Sequence, residues 1–243
     1  MGTDSDAIRR PAGPTSFDAH SHLPGAGSSP PDHPRVVCGT READWAAVLA
    51  QAASDGQSIP MLGLHPWFVA EASPDWPRRL EALLRDHPAG VGECGLDFAR
   101  RDTDRAEQEA AFRLQLRLAC VLQRPLAMHV VRAWGRIIEL LREEGLPPGT
   151  MVHAFTGSPE TVRTLQAMGV FLSFSGDLLN SDRFKLRDSL RAVDASHLLL
   201  ETDGTADLVK VIAAAARLRG VSAGTLAAQT WENGQRCFRG WLS

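Results

Sequence analysis

Residues 112–158 read FRLQLRLACVLQRPLAMHVVRAWGRIIELLREEGLPPGTMVHAFTGS, and the spacing of their apolar residues switches between helical and extended along the way. Phe112, Leu116, Ala119 and Leu122 recur at helical spacing and predict a helix over Asp104–Leu122. Leu126–Val130 is a near-continuous apolar run, as a strand covered on both faces requires. Helical spacing returns over Ala133–Glu144 and stops at Gly145, and a second short apolar run follows at Met151–Ala154. Ser158 before Pro159 opens the next helix with an N-cap and a proline at the first helical position. Strands joined through helices in this way lie parallel in one sheet.

The alternation continues to both ends. Further strands are expected at Ser16–His20, Arg35–Cys38, Pro60–His65, Gly90–Glu93, Val170–Phe174 and His197–Glu201. Further helices are expected at Glu42–Ser54, Trp76–His87, Pro159–Met168, Asp182–Ala192, Ala206–Arg219 and Ser222–Leu242. Eight strands in 243 residues match a TIM-type (β/α) barrel, which takes roughly 250 residues as a single domain. An open doubly wound sheet is the competing architecture. No G-x-G-x-x-G or P-loop follows the first strand, so its nucleotide-binding version is disfavoured. The barrel is expected to span 16–243. Residues 1–15 are polar, contain Pro11 and Pro14, and read as a disordered arm without the apolar stretch of a secretory signal. Pro24–Pro34, rich in Gly, Ser and Pro, replaces the first helix with a loop.

A formal charge of −3 leaves no broad basic face for nonspecific duplex binding, although bound divalent ions would add positive charge locally. The cysteines Cys38, Cys94, Cys120 and Cys237 are isolated and form no C-x-x-C pair. They are read as reduced thiols of a cytoplasmic protein. No apolar run of about 18 residues predicts a membrane span.

Polar residues gather at the expected strand ends. His20 and His22 close the first strand two residues apart, so both imidazoles can meet one ion. Glu93 closes the fourth strand, His129 the fifth and His153 the sixth, and Asp203 follows the eighth. Barrel enzymes place their sites on this C-terminal rim. Burying four histidines and two carboxylates together without a metal would be costly.

The segments FDAHSHL, LGLHPW, VGECGLDF, AFRLQLRLA, MHVVRA, VHAFTGS and LLLETDG occur in that order. Over roughly residues 16 to 241 the chain resembles the TatD family of metal-dependent deoxyribonucleases, within the amidohydrolase superfamily. The resemblance implies a two-ion hydrolase that cleaves DNA phosphodiester bonds, at single-stranded ends, with a metal-bound hydroxide. His20, His22 and Asp203 would hold one ion, His129 and His153 the other, and Glu93 would bridge them. Asp203 would also take the proton from the attacking water, making Asp203 and Glu93 the catalytic pair. Imidazole ligands suit Zn or Mn better than Mg, the usual assay metal, so the ion is left as Zn, Mn or Mg. His65 and Arg132 would contact phosphate or support the ligands, Glu201 would orient a metal histidine, and Asp97 would order its loop. Trp67, beside His65 and Pro66, would stack a base at the pocket mouth. The alternative is an amidohydrolase-type enzyme cleaving a small ester, lactone or amide. A non-catalytic binding protein is disfavoured by the intact ligand residues.

Two segments depart from the family pattern. LPGAGSSPPDHPRVV (23–37) stands where relatives have an acidic turn and a helix, and GTADLVKVIAAA (204–215) lacks a loop that relatives carry after the aspartate. Both flank the first and last strands. The pocket wall there is expected to be low, leaving a permissive site or one that a partner chain completes.

Overall fold

A computed structural model describes residues 16–25 and 33–240. The arm expected at 1–15 lies outside them, as do residues 26–32 of the predicted first loop. The strands are β1 (Asp18–Ser21), β2 (Arg35–Cys38), β3 (Ser58–Leu62), β4 (Gly90–Asp97), β5 (Leu126–Val131), β6 (Thr150–Val152), β7 (Phe171–Phe174) and β8 (Leu198–Leu200). They pair in parallel and in sequence order, as a TIM barrel requires. The helices are α1 (Glu42–Asp55), α2 (Trp76–Asp86), α3 (Arg105–Leu122), α4 (Trp134–Glu144), α5 (Pro159–Ala167), α6 (Phe184–Ala192), α7 (Leu208–Arg219) and α8 (Ala223–Cys237). Among the described residues none is long and apolar enough, alone, to cross a membrane.

Alternation along the strands divides the core. Val36, Ile59, Met61, Ala127, Met151 and Leu199 fill the barrel, which Phe17, Cys237 and Phe238 close at its lower end. Val37, Leu62, Val91, Leu126, Met128, Val152, Leu172 and Leu200 face the helices instead. The inward parity of Ala127, Met151 and Leu199 carries on to His129, His153, Glu201 and Asp203. Sequence pattern alone thus aims those side chains into the barrel mouth.

Two strand irregularities complete the aim. The β4 ladder shifts register between Val91 and Cys94, both of which face the helices. The extra residue turns Glu93 inward. The strand expected to end at Glu93 therefore runs on to Asp97. The β1 ladder also shifts, between Asp18 and Ser21.

The seam between β8 and β1 is built differently from the other strand pairs. Asp203 N–H donates to His20 C=O at 3.0 Å. The Asp18 carboxylate accepts from Thr202 N–H at 2.9 Å and from the Thr202 hydroxyl at 2.6 Å. Burial pushes the Asp18 carboxyl up to about 7, against the Thr202 hydrogen bonds that favour its ionised form.

Helix α3 supports the rim with two buried glutamines seven residues apart, on one helical face. Gln115 accepts from Leu64 N–H at 2.8 Å and donates to Leu64 C=O at 3.1 Å. Gln108 does the same for the peptide groups of Asp97, at 2.8 and 3.1 Å. Each side chain stands in for a strand partner where the ladder has run out. Gln115→Leu leaves both Leu64 groups unpaired and is expected to cost about 1–3 kcal/mol, read as a lower denaturant midpoint at unchanged slope.

Candidate active site

Glu93 lies at the centre of the C-terminal mouth, 2% exposed, with each carboxylate oxygen facing a different group of imidazoles. Oε2 lies 3.4 Å from His20 Nε2 and 3.5 Å from His22 Nε2. Oε1 lies 2.8 Å from His153 Nε2, 3.1 Å from His129 Nδ1 and 3.2 Å from His65 Nε2. Asp203 Oδ1 closes the first group, 3.4 Å from His22 Nε2 and 3.8 Å from His20 Nε2. The structure thus brings together all six side chains expected at the centre, and adds His65. His20, His22 and Asp203 form a triad of ligand atoms spaced for a metal ion, as do His20, Glu93 and His153, and His65, Glu93 and His129.

The residues fit a metal. His20 Nε2 is fully buried and has no hydrogen-bond partner, although it points at two carboxylates. A buried nitrogen left in that state is costly unless an ion takes its lone pair.

Partners behind the rings set which nitrogen carries the proton. His22 Nδ1 sits 3.0 Å from Cys38 C=O, His153 Nδ1 3.3 Å from Glu201 Oε1, and His129 Nε2 3.4 Å from Asp97 Oδ2. Each partner accepts a hydrogen bond, so the outer nitrogen donates and the inner one keeps its lone pair for an ion. Glu201 thus lies against the His153 ring, where the orienting role expected of it would act. Its Oε1 also accepts from Ala154 N–H at 2.8 Å, which holds the carboxylate in place.

Without metal, protons supply the positive charge that the carboxylates demand. Burial lowers the His153 ring, but Glu93 and Glu201 outweigh it and lift its pKa well above the usual value. The His22 ring, likewise lowered by burial, is lifted to about 9 by the Asp203 hydrogen bond and the Glu93 charge. His20 goes the other way, burial and the neighbouring His153 charge keeping it neutral. Asp203, pushed up by burial, is drawn below the usual range by the His22 hydrogen bond and the His153 charge.

Two supports were not legible as such. Asp97, read as a loop residue, ends β4. Its carboxylate accepts from the Trp67 indole at 2.7 Å as well as from Ala99 N–H at 2.9 Å. Cys38, read only as a thiol, ends β2 with its Sγ 3.4 Å from His20 Nδ1 and its carbonyl on His22. For Cys38 the only signal was its position at a strand end; Asp97 gave none, because the strand was expected to stop at Glu93. Arg132 is not brought into the cluster. It follows β5 in a left-handed conformation, φ 53°, and lines neither cavity described next.

The cluster lies between two cavities that share His129, His153 and Asp203 as lining. One, about 420 Å³, is walled by His22, Leu23, His65, Trp67 and Phe68. Trp67 is 40% exposed there, and the guanidinium of Arg100 lies 5.0 Å above its ring. The other, about 540 Å³, is walled by Thr156, Ser175, Asp177, Thr205 and Lys210. The His22 and Asp203 side chains are 33% and 35% exposed, against 13% or less for the other cluster members. The open side is thus the one at the ends of β1 and β8.

A model of the TatD-related DNase family matches residues 33–239. The chain belongs to that family. Among TatD relatives, a protein of Edwardsiella piscicida named 3'-5' ssDNA/RNA exonuclease TatD is 36% identical over 190 residues, covering 71% of this chain and 73% of its own. The namesake from Erwinia tasmaniensis is 31% identical over 243 residues, covering 85% and 93%. Among solved structures, the TatD homologue YjjV of Escherichia coli K12 superposes with a TM-score of 0.84 at 25% identity, covering 92% of this chain and 98% of its own. TatD membership makes the chain a member of a family of hydrolytic nucleases with the barrel described above.

Proposed function

We propose that this protein is a divalent-metal-dependent nuclease that hydrolyses phosphodiester bonds at the ends of single-stranded DNA. The observation that carries the reading is the division of Glu93, Oε2 toward His20 and His22 and Oε1 toward His129 and His153. A carboxylate shared in this way suits a pair of ions. His20, His22 and Asp203 would hold one, His129 and His153 the other, with Zn or Mn favoured by the imidazoles and Mg possible. Such ions supply Lewis-acid polarisation of phosphoryl oxygens and acidify the attacking water.

The chain's own residues do the rest. Asp203 turns Oδ1 to the imidazoles and lines both cavities, so its other oxygen is free to take the proton of the attacking water. Its depressed pKa keeps it ionised for that task. Trp67 offers an exposed ring beside the cluster for a base to stack on. Lys210 stands in the second cavity, where the strand would continue. The TatD relatives named for ssDNA and RNA support this substrate class. We assign the activity to one unit spanning 16–243, in the cytoplasm, a compartment with which the four free thiols agree.

The test couples metal analysis to turnover. Protein dialysed against a chelator is expected to lose cleavage of single-stranded DNA and to regain it on addition of Mn or Zn, with about two ions bound per chain. Undiminished cleavage by metal-free protein would remove the metal reading. Turnover of small esters or lactones with no cleavage of DNA would remove the nuclease reading.

A further inference from the structure

We propose that His65 is the one imidazole of the cluster kept out of coordination, an N–H donor that positions Glu93, so that the cluster holds two ions and not three. The inference rests on the metal-dependent reading above. By spacing alone, His65, Glu93 and His129 make a third candidate site. Proton accounting removes it.

His65 is the N-cap of a short 3-10 turn over Pro66–Glu71. Proline occupies the first position of that turn and has no N–H, so Trp67 carries its first free backbone donor. That N–H donates to His65 Nδ1 at 3.1 Å. A backbone N–H cannot accept, so Nδ1 must hold a lone pair. A doubly protonated ring would set N–H against N–H and is excluded by the same contact. The proton of the neutral ring therefore sits on Nε2, 3.2 Å from Glu93 Oε1.

His22, His129 and His153 are the mirror case. Their outer nitrogens face a carbonyl or a carboxylate, which leaves lone pairs inside the cluster. For His65 to bind an ion through Nε2, the ring would need to lose its only proton and become an imidazolate, or the turn would need to give up its cap. Neighbouring Leu64 is clamped by Gln115 on both its peptide groups, which fixes the turn's entry. With metal bound, His65 would present a proton where His22, His129 and His153 present electron pairs. It holds the Oε1 end of Glu93 in one orientation toward His129 and His153.

Three measurements on the full-length chain test this. Metal content after dialysis into Zn or Mn separates ligand from donor. His65→Ala should keep the wild-type ion count, whereas His129→Ala should lose about one ion per chain. Rates separate positioning from scaffolding. His65→Ala should lower kcat about ten- to a hundredfold, the loss of a hydrogen bond to a charged group, and His65→Gln, which keeps an N–H near Nε2, should restore about tenfold. Nitrogen-15 spectra of ring-labelled protein should show His65 protonated on Nε2 alone, both before and after metal is added. Loss of an ion in His65→Ala, equal rates for the Ala and Gln variants, or a protonated Nδ1 would each overturn the assignment. A wild-type protein that binds no ion would instead overturn the metal reading, and the nitrogen-15 spectrum would still decide the tautomer of His65.

Discussion

Asp203→Asn is expected to lower kcat on single-stranded DNA by about a hundred- to ten-thousandfold, the usual cost of losing a general base, while the chain stays folded and keeps at least one ion. The residue sits at φ 51°, a left-handed conformation in which asparagine is at ease, so the backbone tolerates the change. The amide oxygen still faces His20 and His22. What is lost is the second carboxylate oxygen with its affinity for a proton. Steady-state kinetics beside metal analysis check the result. Wild-type turnover in a metal-replete Asn variant would mean that another group takes the proton.

Glu93→Gln is expected to be the more severe change, with bound metal falling below one ion per chain and turnover becoming undetectable. Among the described residues, Glu93 is the one carboxylate paired with imidazoles of both groups. Burial would raise its pKa, but His153, His65 and His129 hold it well below the usual range, so it is a full negative charge at the centre of the cluster. The amide halves what the residue gives a metal, and its NH2 must turn toward one set of rings. Circular dichroism separates a folded, metal-poor barrel from an unfolded one. A Gln variant that retained both ions would show that the carboxylate does not join them.

The barrel was legible because its strands are short apolar runs between amphipathic helices, and the same alternation pointed His129, His153 and Asp203 inward. Strand ends were read less well. Ladder pairing, not apolar content, decides where a strand stops, so β4 runs four residues past Glu93 while β3 stops at Leu62, before His65. The ligand residues announced themselves by type. Their supports did not: Cys38 and Asp97 act through a carbonyl, a thiol and a carboxylate whose direction depends on the fold. Gln108 and Gln115 did leave a trace, two polar residues on the otherwise apolar face of α3. Arg132 was expected at the site from the family resemblance; it follows β5 at a positive φ and lines neither cavity.

The seam between β8 and β1 lies directly beneath half of the site. His20 and His22 stand on one side of it and Asp203 on the other, and Asp18 with Thr202 fastens the two. Hinging open at this joint would carry Asp203 away from both histidines while leaving Glu93, His129 and His153 undisturbed on their own strands. Zipper and catalytic centre therefore share one joint: on warming, activity is expected to fall before the helical circular dichroism does, and parallel thermal scans of the two check the order.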